Sequence, residues 1–210
     1  QTGCGALVYS RAGYGASDPL PPPWPAEFMH HEALVTLPAV LDALEIRRAV
    51  LVGHSDGGSI ALLYAGGLAA GSDRLLGLAL EAPHVFVEPV TVESIAALPA
   101  RYQKGLREKL QRHHGANTDP LFRAWTDVWL RPEFRSWNIT KVLPRVSCPV
   151  QVIQGEDDPY GTVAQVDAIL SGVPSPAETL LLPGCGHTPH RDKPEETLRA
   201  MAGFVRRLLS

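Results

Sequence analysis

The sequence predicts an α/β protein: a mostly parallel sheet with crossover helices and an inserted helical segment. Three observations carry this expectation. Short apolar runs of strand type alternate with helical patterns. Those runs are continuously apolar, as in strands covered on both faces. Residues from about 87 to 145 abandon the rhythm and carry helical patterns alone. A length of 210 residues, with 45% apolar and 20% charged residues, suits one such domain with an inserted subdomain.

Taken in order, strands are predicted at residues 6–10, 49–52, 76–81, 150–154 and 179–182. Between the first two, Leu34, Leu37, Leu41 and Leu44 recur at helical spacing, with a bend or break expected at Pro38. Residues 87–145 read as two or three helices, around 92–113 and 119–130, followed by a tail holding Trp137. A last helix, about 195–209, starts after Pro194 with acidic residues and ends near Arg206 and Arg207, matching the helix dipole. The expected organisation is 1–86 and 146–210 as two parts of one core, with 87–145 as a helical cap between them.

Composition excludes several partners. A net charge of −3 offers no attraction for nucleic acid or an anionic membrane. No apolar run approaches the roughly 18 residues of a membrane span. Cys4, Cys148 and Cys185 are too few and scattered for a disulfide framework or a Cys-x-x-Cys metal site. They read as packing residues in a reducing, cytoplasmic compartment. No nucleotide, flavin or metal motif is present, so no cofactor and no metal are expected; Gly13 and Gly15 lack the Gly-Lys-Ser/Thr of a phosphate loop.

The chemistry centres on Gly53-His54-Ser55-Asp56-Gly57, between an apolar strand and a helix opening with Gly58. A G-x-S-x-G in that context is the sequence form of a nucleophile elbow. Gly53 and Gly57 are expected to remove side chains that would collide across the tight turn, and Gly58 to let the helix start close to the sheet. A serine hydroxyl needs a base, and the base needs a group to hold its tautomer. Both follow at the ends of later strands. The strand at 150–154 runs into Gly155-Glu156-Asp157-Asp158, and the strand ending at Leu182 runs into Pro183-Gly184-Cys185-Gly186-His187.

With Arg11-Ala12-Gly13-Tyr14-Gly15-Ala16-Ser17 and Pro194-Glu195, these segments resemble the α/β-hydrolase superfamily, especially its capped esterase-like and carbon–carbon-bond hydrolase branches. The resemblance spans essentially the whole chain. It implies Ser55 as nucleophile, Asp158 as orienting acid and His187 as general base. The family's acid usually stands three residues after the glycine, which favours Asp158, with Asp157 as the alternative. The backbone N–H of Asp56 would supply one oxyanion donor. The second comes, in the family, from a loop after a strand preceding Gln1, and the family's short His-Gly-like segment is absent upstream of the elbow. A family strand between residues 6–10 and the elbow strand is also missing. With an opening Gln1-Thr2-Gly3-Cys4 that lacks methionine, the chain reads as an N-terminally truncated member. Alone it is expected to be poorly soluble or inactive, because an exposed apolar strand edge invites association.

The resemblance implies a serine hydrolase acting on a small ester, lactone or related acyl compound. The same triad would serve a carbon–carbon-bond hydrolase or a perhydrolase, and a non-catalytic ligand-binding protein on the same scaffold is the alternative of another class. His54, Trp125 and Trp129 are candidate pocket residues, His54 reading first as a packing or supporting group. His190 reads as a loop or helix-start residue, with lining of the pocket as the alternative, and His30-His31 and His113-His114 as surface pairs. Arg101, Lys104, Arg107, Lys109 and Arg112 make the first cap helix basic, most simply a solvated face.

Overall fold

The computed structural model describes residues 2–68 and 73–210. They form two compact units. One is built mainly from Met29–Phe86 and Asn138–Ser210, the other from Cys4–Phe28 and Val87–Trp137.

The first unit holds a parallel sheet of β1 (Ala49–His54), β2 (Leu75–Glu81), β3 (Val150–Gly155) and β4 (Ala177–Leu182), ordered β1-β2-β3-β4. Parallel neighbours need crossovers. The helix Asp56–Gly67 supplies the first and Val163–Gly172 the last. Both pack against the turns at Thr140–Arg145, while the helix Pro194–Leu209 packs on β2 and β3. Close approach is needed there: a Cβ on Gly66 would lie 2.7 Å from the Val142 carbonyl oxygen, and one on Gly172 2.7 Å from Leu143 Cδ1.

The central strands behave as their composition dictates. Leu78, Ala79, Leu80, Val150, Val152 and Ile153 are wholly buried. Each large aliphatic side chain among them contributes about 1.5–3 kcal/mol by leaving water. The outer strands are not covered on both faces. Val52 on β1 is 61% exposed, and on β4 Ala177, Glu178, Thr179 and Leu181 are exposed.

Residues 6–10 are not a strand. They form no ladder, and Val8 is 93% exposed. An apolar run with β propensity gains little without a neighbouring strand to pair with, and residues 6–10 join no ladder among the described residues. The leucine stripe is corrected in part. Leu37 and Leu41 are buried, whereas Leu34 and Leu44 are about half exposed. The break near Pro38 takes the form of one wide helical turn, Glu32–Thr36, before the helix Leu37–Ala43. Proline's missing N–H leaves the preceding turn without a regular donor, which favours such a bulge.

In the second unit the helix expected at 92–113 is divided into Pro89–Ala96, Leu98–Arg101 and Arg107–His114. Gly105, at φ 106°, breaks it before the last piece. Arg107 binds Asp119 through Nε at 2.9 Å and Nη2 at 2.6 Å, and the Tyr102 hydroxyl donates to the same carboxylate. The guanidinium and phenol hold Asp119 down at about 2, while burial and that carboxylate push Tyr102 up to about 12. The helix Thr118–Leu130 carries Trp125 and Trp129. Trp129 is buried with its ring 4.9 Å from Phe134 and 6.1 Å from both Trp125 and Trp137. Trp24, whose packing the sequence leaves open, is fully buried in this unit beside Tyr14 and Phe28. His114 is no simple surface residue, since its Nδ1 accepts the Gly15 N–H at 2.9 Å.

Candidate active site

The elbow follows from close packing of backbone. β1 ends at His54, Ser55 turns the chain, and the helix begins at Asp56. Ser55 adopts φ 54° and ψ −122°, a conformation costing a non-glycine residue about 1–3 kcal/mol. The glycines divide the work differently from the sequence expectation. A Cβ on Gly53 would lie 2.5 Å from the Gly57 carbonyl carbon and 2.7 Å from the Gly58 nitrogen, so only glycine fits. A Cβ on Gly57 would meet no described atom within 4 Å. Gly58 is the second tight position, at 2.8 Å from Pro83 Cβ.

The structure brings Ser55, His187 and Asp158 into one hydrogen-bonded line. His187 Nε2 lies 2.9 Å from Ser55 Oγ, and His187 Nδ1 lies 2.8 and 3.0 Å from the two Asp158 oxygens. The carboxylate accepts two further bonds, from Gln154 Nε2 at 2.8 Å and the Tyr160 amide at 2.8 Å. Its side chain is 1% exposed. Burial pushes this carboxyl up, but the His187 bond and charge, with the Tyr160 and Gln154 donors, outweigh it and leave the group below its ordinary value. Asp158 therefore holds His187 with its Nδ1 proton inward and Nε2 toward the serine. Asp157 and Glu156 are exposed at the surface of the same turn.

The turns that carry Asp158 and His187 are fastened to one another. The Glu156 amide donates to the Leu182 carbonyl and the Asp157 amide to the Cys185 carbonyl, at 3.0 and 2.9 Å. Gly155 permits this crossing, since a Cβ there would sit 2.7 Å from the Cys185 carbonyl carbon. Each contributing segment lies at the carboxyl end of a parallel strand, where the open edge of such a sheet gathers its sites. The Asp56 N–H opens the helix directly after Ser55, at the positive end of its dipole.

Three more groups surround His187. His54 Nε2 donates to the His187 carbonyl at 2.6 Å, with ring centroids 4.9 Å apart. Burial holds His54 below the ordinary imidazole value despite that bond. His84, 3% exposed, donates through Nε2 to the Tyr160 carbonyl at 3.0 Å, with its ring 5.8 Å from that of His187. Burial lowers it likewise. Glu81, at the end of β2, accepts from the His190 amide and from His190 Nδ1, both at 2.9 Å. Neither His84 nor Glu81 stands out in the sequence, whereas His190 does lie at a helix start, in Pro189–Asp192. The available signal was position, because Glu81 closes β2 and His84 follows three residues later, at the same edge as the other site residues.

Trp125 and Trp129 lie in the second unit, within its aromatic cluster. Among the described residues no group of three or more His, Cys, Asp or Glu could hold a metal ion, and no helix is long and apolar enough to cross a membrane.

A model of the alpha/beta hydrolase family matches residues 1–200. The chain belongs to that family. Among curated relatives it is 28% identical over 193 residues to the 2-hydroxy-6-oxononadienedioate/2-hydroxy-6-oxononatrienedioate hydrolase of Paraburkholderia xenovorans, covering 81% of this chain and 66% of that protein. It is 27% identical over 159 residues to the human serine hydrolase BPHL, covering 73% and 53%. The chain thus spans less than two thirds of the length of these relatives. A thermophilic esterase from Thermogutta terrifontis shares the alpha/beta hydrolase fold at a TM-score of 0.68 and 22% identity, covering 95% of this chain and 78% of that one.

Proposed function

We propose that this chain is a serine hydrolase that cleaves a small ester, lactone or related acyl compound through an acyl-enzyme on Ser55. One observation carries the reading: Ser55 Oγ, both nitrogens of His187 and the buried Asp158 carboxylate lie on a continuous line of hydrogen bonds of 3.0 Å or less. In the first step His187 Nε2 takes the Ser55 proton as Oγ attacks the carbonyl carbon. The imidazolium that forms is stabilised by Asp158, which stays ionised because its folded value is lowered. The Asp56 N–H supports the oxyanion. His187 then protonates the leaving group, and in the second half activates water to release the acyl group. In this reading the segment expected as a cap at 87–145 is represented by Val87–Trp137, which belongs with Cys4–Phe28 to the second compact unit.

The same line of residues suits cleavage of a carbon–carbon bond next to a carbonyl. The 6-oxo dienedioate named for the Paraburkholderia relative supports that second reading. Labelling the full-length protein and its Ser55→Ala variant with a fluorophosphonate tests both. Label on the parent and none on the variant is expected. Equal labelling, or none on either, would exclude an activated Ser55 and favour a binding protein on a hydrolase scaffold. Turnover of p-nitrophenyl esters and lactones against a 6-oxo dienedioate then separates the two enzymatic readings.

A further inference from the structure

We propose that His54 and Glu81 are positioning residues for the general base: two strand-end side chains that grip the backbone of the loop carrying His187. The inference rests on the Ser55–His187–Asp158 reading. His54 and Glu81 are Cα partners in register at the carboxyl ends of β1 and β2. Partners in a parallel ladder project to the same face. From that face His54 Nε2–H reaches the carbonyl of His187, and the Glu81 carboxylate takes the amide of His190 three residues further on. Both grips fall on the chain that leaves the His187 Cα, and both come from groups that belong to the sheet rather than to the loop.

The need for such a grip is visible in the loop. From Pro183 to Thr188 it has no regular secondary structure, and Gly184 sits at φ 61°. Asp158 and Ser55 hold the imidazole ring but not the backbone beneath it. Without the two grips, the ring could keep its bond to Asp158 while Nε2 drifted from Ser55. A reacting geometry lost by about 1 Å costs about 100-fold in rate.

The two grips differ in chemistry. His54 must be a donor at Nε2, because a carbonyl oxygen only accepts. It must also stay neutral, because His187 becomes an imidazolium 4.9 Å away when it takes the serine proton. Burial favours that neutral form. Glu81 is a buried carboxylate, 5% exposed in its side chain, and binds His190 twice, through the amide and the ring. His190 also lies edge-on to His54 at 5.3 Å, joining the two grips into one cluster.

The test compares His54→Leu, which removes the donor at similar size, with His54→Gln, which restores an N–H. Glu81→Gln, which keeps an acceptor without the charge, is set beside Glu81→Leu. For each, kcat and KM on a p-nitrophenyl ester, the fluorophosphonate labelling rate and the thermal midpoint are measured. Expected are a fall in kcat and labelling rate of about 10- to 100-fold for the leucine variants with KM within about 2-fold, and recovery to within about 5-fold in the glutamine variants. A leucine variant that labels at the parental rate, or a glutamine variant as impaired as its leucine counterpart at an unchanged midpoint, would overturn the proposal. A Ser55→Ala variant that still labels would instead sink the triad reading and leave nothing for these residues to position.

Discussion

The two glycines that flank Ser55 are predicted to respond oppositely to the same methyl group. In Gly53→Ala the new carbon would stand 2.5 Å from the Gly57 carbonyl carbon and 2.7 Å from the Gly58 nitrogen. Ordinary carbon contacts begin at about 3.5 Å, so the turn must open by about 1 Å. The obstructing atoms are backbone and cannot rotate away. Overpacking of this kind costs about 1–3 kcal/mol, which for a chain of this length lowers the thermal midpoint by roughly 2–12 °C. A 1 Å displacement of Ser55 from His187 Nε2 also lowers the labelling rate about 100-fold. Gly57→Ala adds its methyl where no described atom lies within 4 Å. There the gain from a stiffer chain in a helix, about 0.5–1 kcal/mol, is expected to leave stability equal or higher. Scanning calorimetry and fluorophosphonate labelling on both variants decide the matter. Indistinguishable midpoints and rates would refute the claim that contact between Gly53 and the Gly57–Gly58 backbone shapes the elbow.

Two further outcomes follow from the site. Asp158→Asn offers one carbonyl oxygen where the carboxylate takes donors from Gln154, Tyr160 and His187. The tautomer of His187 is then no longer set, and kcat on a p-nitrophenyl ester should fall by the order of 10⁴-fold; a loss under about 10-fold would contradict the orienting role. Stability should also decline in two stages on acidification. His54 and His84 have folded values below their ordinary one, so their contribution is complete above about pH 6.5 and is lost as pH falls toward those lowered values. Asp158 is lowered from the carboxylate range, so its contribution is present above about pH 4 and disappears below it. Urea midpoints constant from pH 8 to pH 3 would show that these groups are not linked to folding.

Much of the site was legible because its parts are local. A strand, a glycine, a serine and a helix start are contiguous, and backbone sterics act over a few residues. Asp158 and His187 could be placed because parallel strands deliver their following turns to one edge. Asp157 could not be set aside on spacing alone. Its neighbour is chosen by Gln154, the Tyr160 amide and His187, which surround one carboxylate and leave the other in water. Residues 6–10 failed for a related reason, since β propensity describes how a chain fits a neighbour and cannot supply one.

The sequence by itself determined the α/β class, the four strands of the sheet, Ser55 and His187 as candidates, and the acid as either Asp157 or Asp158. Each of these depends on short-range pattern or on the order of motifs along the chain. Only the tertiary structure decided that Gly53 and not Gly57 is sterically bound, that His54 grips the His187 carbonyl, and that Glu81 holds His190. Those are contacts between residues far apart in the chain, 109 positions in the case of Glu81 and His190. Only folding brings such partners within hydrogen-bonding distance, and no periodicity in the sequence records which pairs will meet.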